Sequence, residues 1–290
     1  MKNIVVSGLN KFDNSEIYSK INRTEDIAYI SEAACIGIKM VKDLFEKYEI
    51  DFEDKINREI GIVLGSYYGS QQINEKYLSD IYFDKKRRVK PSLFSVGTAN
   101  AVGGILGIHY NMGGPNLSLI GLNSGVQSVI VAYNKIKENH MSAAIVGGID
   151  YITEHAVSYL KKLLNKDGVT FYSGGGILLM ENSEICEREG RKPIAKILDY
   201  SIVETCENTL NQKDISRCYN DLISQNQYLL DAQIIVSDID KKDCCSPAAD
   251  GIIDMCNIFE GAGSGEKYIF ISKDYTGNIF GIGVEKYEHN

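Results

Sequence analysis

The segment Gly114-Pro115-Asn116-Leu117-Ser118-Leu119-Ile120-Gly121-Leu122-Asn123-Ser124-Gly125 constrains the fold of this chain more than any other. Leu117 to Ile120 is a short apolar run of β propensity stopped by Gly121, and residues 126–136 form an apolar run with little charge that reads as a helix. Strand, tight turn and helix in immediate succession require a sheet with a helix packed on its face. Such a turn lifts one side chain into a cleft. The helix behind it offers unpaired backbone N–H groups to an anion or a thioester oxygen. The geometry suits a nucleophile, yet the residue at the tip is Leu122, which cannot attack a thioester.

The same alternation continues along the chain. Residues 2–7 and 60–64 read as strands, 28–48 as a helix with apolar positions at helical spacing, and 95–109 as a helix of small and apolar residues packed closely on another backbone. A buried strand at 143–146 precedes Gly147-Gly148, and a helix is expected at 154–164. A turn at 165–168 leads into residues 169–180, which Gly174-Gly175-Gly176 interrupts. Strand 194–202, helix 215–230, strand 233–237 and helix 248–259 follow, and 268–272 with 279–284 form a closing hairpin around 274–277. This order predicts a layered α/β fold. Residues 1–165 and 166–290 read as two halves of similar order in one compact unit, with no Pro- or Ser-rich linker between them.

A 44% hydrophobic content over 290 residues is ample for a substantial core. The net charge of -8 repels phosphate backbones and anionic lipid surfaces, so nucleic acid is not an expected partner. Seven cysteines lack paired metal spacing, no signal-peptide pattern leads the chain, and no apolar run approaches the roughly 20 residues that span a bilayer. The expectation is a reduced, cytoplasmic protein without cofactor or metal. Cys244-Cys245 reads as a small apolar pair beside a loop.

Taken together, the motifs resemble the β-ketoacyl synthase (ketosynthase) family of the thiolase fold. The resemblance rests on Asn3-Ile4-Val5-Val6-Ser7-Gly8, on residues 60–69, on 91–104 before the elbow, and on Ala143-Ala144-Ile145-Val146-Gly147-Gly148-Ile149-Asp150. Asp167-Gly168-Val169 with residues 174–181 is similar to the next family block, and Ala248-Ala249 and Gly261 to Gly265 resemble the last two. The match implies a thiolase-like αβαβα fold built from two similar halves. It is dense over residues 1–202 and thins beyond.

The departures set the functional reading. Family condensing enzymes carry an elbow cysteine and two histidines from the second half. Here Leu122-Asn123-Ser124-Gly125 stands where the family has Cys-x-Ser-Gly, and Cys244 or Cys245 falls where the second histidine is expected. His109, His140, His155 and His289 all lie outside these motifs. The chain is also shorter than typical members. The resemblance therefore implies a pseudoenzyme like the chain length factors of polyketide or fatty-acid-type assembly, paired with an active ketosynthase or with itself and served by an acyl carrier protein. Its interface or acyl cleft would hold Leu117, Ser118, Leu119, Ile120, Asn123 and Phe94, and Leu122 would fill the vestigial nucleophile position.

Two alternatives stand beside this reading. One is an acyltransferase, hydrolase or decarboxylase with displaced chemistry on Ser124, Cys244 or Cys245, and the other is a stand-alone acyl-binding scaffold. Ser124 also reads as a cap of the elbow helix. The basic run of Lys85, Lys86, Arg87, Arg88 and Lys90 is placed to dock an acidic carrier protein, and reads equally as a solvated loop.

Overall fold

Three fully buried strands form the spine: β2 (Ile60–Ser66), β4 (Ala143–Asp150) and β6 (Gly174–Asn182). Strands buried on both faces must have helices on both sides, since neither face tolerates water. The computed structural model describes residues 3–12, 30–50, 59–82, 91–165, 168–207, 209–261 and 263–287. With β1 (Ile4–Phe12), β3 (Asn116–Ile120), β7 (Ala195–Glu204), β8 (Gln233–Ser237), β10 (Lys267–Lys273) and β11 (Asn278–Lys286), the spine makes one nine-stranded sheet. Its order is β3-β2-β4-β6-β1-β7-β11-β10-β8.

The two halves repeat one pattern. In the first, β2 runs parallel to β4, β4 antiparallel to β6, and β6 antiparallel to β1. In the second, β8 runs parallel to β10, β10 antiparallel to β11, and β11 antiparallel to β7. The leading strands β1 and β7 join the halves antiparallel through Ile4–Val6 and Ala195–Ile197. β6, which follows residue 165, completes the strand order of the first half as β11 completes that of the second.

Five layers result. On the outer face of the first half, α1 (Glu32–Lys47) and α4 (Ala101–His109) bury Ile36, Met40, Leu44 and Leu106 against Ile62, Ile145 and Leu179. Ahead of α4 come α2 (Gln71–Tyr82) and α3 (Ser92–Val96). In the middle layer, α5 (Ser124–Lys137) packs with α9 (Asp250–Gly261), and their core reaches Val146 and Leu178 on one side and Phe270, Phe280 and Ile282 on the other. Between them in sequence lie α6 (Glu154–Leu164), α7 (Ser183–Arg188) and α8 (Gln212–Gln225). α8 covers the outer face of the second half, with Cys218 and Leu222 on Ile269, Ile271 and Ile279. The expected layered α/β architecture is thus observed. No helix among the described residues is long and apolar enough to cross a membrane.

Several local expectations differ from the structure for identifiable reasons. The helix expected over 95–109 is two helices, because Gly97 C-caps α3 and its carbonyl accepts from Asn74 Nδ2 at 2.9 Å. β4 does not stop at Gly147 but runs on to Asp150. Gly147 adopts φ +157°, and a Cβ there would lie 2.0 Å from Gly176 O, so only glycine lets β4 and β6 pair this closely. α2 escaped the pattern because Ile73 is its one buried side chain.

Arg191, in the charged turn after α7, reaches the core. Its guanidinium makes a bidentate pair with the fully buried Glu181 of β6, at 3.0 and 2.6 Å. Removing the arginine strands a carboxylate in the core. Arg191→Ala is expected to lower stability by about 3–5 kcal/mol in urea denaturation, whereas a loss near that of an exposed pair, about 0–1 kcal/mol, would contradict the role.

Candidate functional site

The elbow after β3 is built from two unusual backbone positions. Gly121 takes φ +154° and Asn123 the left-handed conformation, φ 53° and ψ 20°, immediately before α5. Asparagine tolerates this region better than branched residues do. The reversal sends consecutive side chains apart, Leu122 into an apolar cluster and Asn123 toward the second half.

Leu122 is 3% exposed. It packs in one cluster with Leu160 of α6, Val169, Phe171 of β5 (Thr170–Phe171), Ile239, and Cys245 of β9 (Cys244–Cys245). β5 and β9 form a separate two-stranded parallel sheet. These elements cap the elbow, and Leu122 is part of the cap's core.

The second half closes over the elbow through residues 246–249. Asn123 N–H donates to Pro247 O at 2.8 Å, Gly125 N–H to Ala248 O at 3.0 Å, and Asn123 Nδ2 to Lys273 O at 2.7 Å. A Cβ on Gly125 would lie 2.6 Å from Ala248 O, which explains the glycine. This loop is held in turn by Asp150, whose Oδ2 accepts from Ala248 N–H at 2.7 Å. Asp150 Oδ1 accepts from Tyr67 N–H at 2.7 Å and Ser66 Oγ at 3.0 Å. Burial pushes this carboxyl up, and the donors around it oppose that shift by favouring the ionised form.

Two amides at the start of α5 are paired within the chain. The N–H groups of Asn123 and Gly125, which face outward at a bare helix N-terminus, are spent on Pro247 and Ala248 carbonyls. Ser124 N–H turns back on Gly121 O at 3.3 Å. Ser124 Oγ is buried with no hydrogen-bond partner among the described residues, so none of the described histidines contacts it. The fold does bring the cysteine pair to the elbow: Cys245 is fully buried beside Leu122, and Cys244 is exposed. Burial and the nearby Asp250 carboxylate push the Cys244 thiol up, away from the reactive thiolate. None of the seven cysteines is in a disulfide. Among the described residues no cluster of three or more His, Cys, Asp or Glu side chains is placed to hold a metal.

The other predicted residues lie elsewhere. Leu117, Ser118, Leu119 and Ile120 form β3, the edge of the large sheet, where Ile120 is 63% exposed. Phe94, on α3, is 70% exposed. Lys85, Lys86, Arg87, Arg88 and Lys90 lie outside the described residues.

Sequence reasoning placed the turn between β10 and β11 but not its contact with the elbow. Gly261 to Gly265 resemble the last family block, and residues 273–275 meet the elbow. Lys273 O receives Asn123 Nδ2, and the Tyr275 ring lies over Gly121, 3.6 Å from where a Cβ would be. Tyr275 meets Tyr67 edge-on at 6.3 Å between centroids, and Tyr67 meets Tyr68 at 5.2 Å. Burial pushes both Tyr67 and Tyr68 up to about 12. The turn itself was readable: Asp274 Oδ1 accepts from Thr276 and Asn278 N–H, and Gly277 has φ +97°. Its landing place on the elbow is a property of the tertiary fold.

Comparison with known proteins fits this architecture. A family model described as beta-ketoacyl synthase, N-terminal domain, matches residues 5–164. The 3-oxoacyl-[acyl-carrier-protein] synthase 2 of Coxiella burnetii (strain RSA 493 / Nine Mile phase I) is 23% identical over 160 residues, covering 50% of this chain and 38% of that protein. The match thus spans well under half of the curated relative. The solved ishigamide ketosynthase/chain length factor is similar at a TM-score of 0.82 and 12% identity, covering 99% of this chain and 100% of that one. A β-ketoacyl synthase from Burkholderia phymatum STM815 is similar at a TM-score of 0.80 and 11% identity, covering 99% and 100% of the respective chains. A type II polyketide synthase acyl-carrier protein in complex with its ketosynthase is similar at 0.76 and 14%, covering 99% and 100%. At these identities the structural likeness establishes the shared thiolase-like fold.

If Leu122 is a core residue of the cap, shortening it leaves a void. Leu122→Ala is expected to cost about 2–5 kcal/mol in chemical denaturation. A near-neutral result would mean that the cap does not close on Leu122.

Proposed function

This chain belongs to the β-ketoacyl synthase family, and on that premise we propose that it is a non-condensing, ketosynthase-like subunit of polyketide or fatty-acid-type acyl chain assembly. The observation that carries this reading is the elbow. Leu122 occupies the nucleophile position inside an apolar core, and two of the helix-start amides are consumed by the 246–249 loop. Covalent acyl transfer needs a nucleophile and donors aimed at the developing oxyanion. Ser124 has no base among the described residues, and Cys244 has a thiol shifted away from ionisation. These observations weigh against the displaced-chemistry alternative, and the sealed tip weighs against a free-standing acyl site at Leu122.

The proposed partner is an active ketosynthase in a chain-length-factor-like heterodimer, with a homodimer as the other pairing. Support comes from the edge strand β3 and from the sequence around it. Residues 91–134 contain no Asp, Glu, Lys or Arg in a chain that is 24% charged. Phe94, Ile108 and Ile120 are nevertheless exposed there. An uncharged surface with exposed large apolar side chains and an open strand edge is what a protein interface requires. An acyl carrier protein is the further proposed partner, docking at Lys85, Lys86, Arg87, Arg88 and Lys90. The proposed location is the cytoplasm.

Co-expression with ketosynthases encoded nearby, followed by size-exclusion chromatography, tests the partnership. A complex with a ketosynthase that retains its Cys and His residues is expected, and Ile120→Asp should shift most of the chain out of it. Recovery of the chain only as a self-associated dimer would favour the scaffold reading. Leu122→Cys is expected to yield no condensation product, since no histidine accompanies it; measurable product would overturn the non-condensing assignment. A mass gain on Ser124, Cys244 or Cys245 after incubation with acyl thioesters would establish the displaced chemistry instead.

A further inference from the structure

Glycine inside a helix loses more backbone freedom on folding than any other residue, so its presence there asks for a reason. In α4, Gly103 has one within the chain: a Cβ on it would lie 2.6 Å from Asn116 Oδ1 of β3. Gly104 has no such reason, since a Cβ there would meet nothing within 4 Å among the described residues. The space it faces is a hollow of about 510 Å³ bounded by α4, the connection after it and the start of β3. Gly104, Gly107, Met112 and Asn116 line it, among others, and no lining residue is charged. Ile108 stands at its rim, one turn beyond Gly104 on the same side of the helix, and is 80% exposed.

We propose that, without a ketosynthase partner, two copies of this chain pair on this face, with their α4 helices crossing antiparallel about a two-fold axis and Ile108 of each copy entering the other's hollow over Gly104. The sequence spacing supplies the register. An axis level with residue 106 sets position 104 of one helix opposite position 108 of the other, and the reverse, which is the self-complementarity a two-fold interface requires. Glycine at 104 lets the helices approach closely at the crossing, where their separation is set by the side chains in contact. The occupant is a second copy because this face carries both the protruding side chain and its recess, whereas a partner of another kind needs only one of them. Charge points the same way. Each copy carries a net charge of -8, and residues 91–134 hold no Asp, Glu, Lys or Arg, so two copies meet with least repulsion here. The pairing rests on the uncharged face being the chain's interface, and it names the side chains that set its register.

Sedimentation equilibrium on the purified full chain measures this pairing. The wild-type chain is expected to self-associate. Gly104→Ile, which fills the hollow, and Ile108→Ala, which removes its occupant, should each weaken the dimer by about tenfold, the scale of one interface hot spot. Both positions are open to solvent in the single chain, so the far-ultraviolet circular dichroism should not change. The double variant exchanges protrusion and recess within the same two-fold register, and it is expected to recover most of the lost affinity. A double variant as weak as both losses combined would overturn the crossing, as would single variants that dimerise like the wild type. A wild-type chain that is monomeric alone yet recovered with a ketosynthase would overturn the self-pairing and leave the non-condensing partner role standing. Recovery in the double variant without any ketosynthase complex would uphold the pairing and count against the heterodimer.

Discussion

The fold turns on one buried carboxylate. Asp150 ends β4, is fully buried, and spends both oxygens on donors from different parts of the chain. Oδ1 fixes the turn after β2 through Tyr67 and Ser66, and Oδ2 fixes the second-half loop through Ala248. A carboxyl group in such a place is tolerable only when its oxygens are partnered, and backbone N–H groups partner them with rigid geometry. Because Ala248 is held by Asp150, its carbonyl is presented to Gly125 and that of Pro247 to Asn123. The elbow conformation is therefore dictated from three segments far apart in sequence.

That constraint also sets how the turn at the elbow is stabilised. A strand-turn-helix elbow stores a left-handed residue and a bare helix start, both costly unless something compensates. In this chain the protein does so itself, with carbonyls from residues 247 and 248 on one side and the apolar cap over Leu122 on the other. Each substitution is locally favourable, since leucine is at home in an apolar pocket and satisfied amides stabilise the turn. Their combined effect is a turn whose tip side chain and whose Asn123 and Gly125 amides are held by the protein itself.

The sequence displayed the strands, the alternation and the elbow because these follow from local periodicity. The helix at 154–164 and the strand at 233–237 agree with the structure to the residue, bounded by Thr153 capping and Asn165 in one case and by turn residues in the other. What stayed hidden were long-range landings. Arg191 looks like any charge in a polar turn until β6 places Glu181 beneath it. Tyr275 looks like a solvated hairpin residue until β10 carries it over Gly121. The nature of the tip was legible from Leu122 alone, whereas the consumption of the amides was not, because backbone carbonyls leave no mark in a sequence. The repeat of the halves was visible only as an order of elements, since topology can recur without shared residues.

The two edges of the large sheet, β3 and β8, differ in the charge around them. An open strand edge invites association, and proteins blunt it with charge. At β8 the flanking positions carry ion pairs, Asp231 with Lys267 and Asp238 with Lys241. At β3 there is none: the strand, the helix α4 before it and the elbow after it lie within the uncharged stretch 91–134. Beside β3, a hollow of about 510 Å³ is lined by Gly104, Gly107, Ile108, Met112 and Asn116, among others, and Ile108 protrudes at its rim. With a net charge of -8, the chain carries least charge along this face. On these terms the edge with charge pairs resists strand addition, and the edge without them does not.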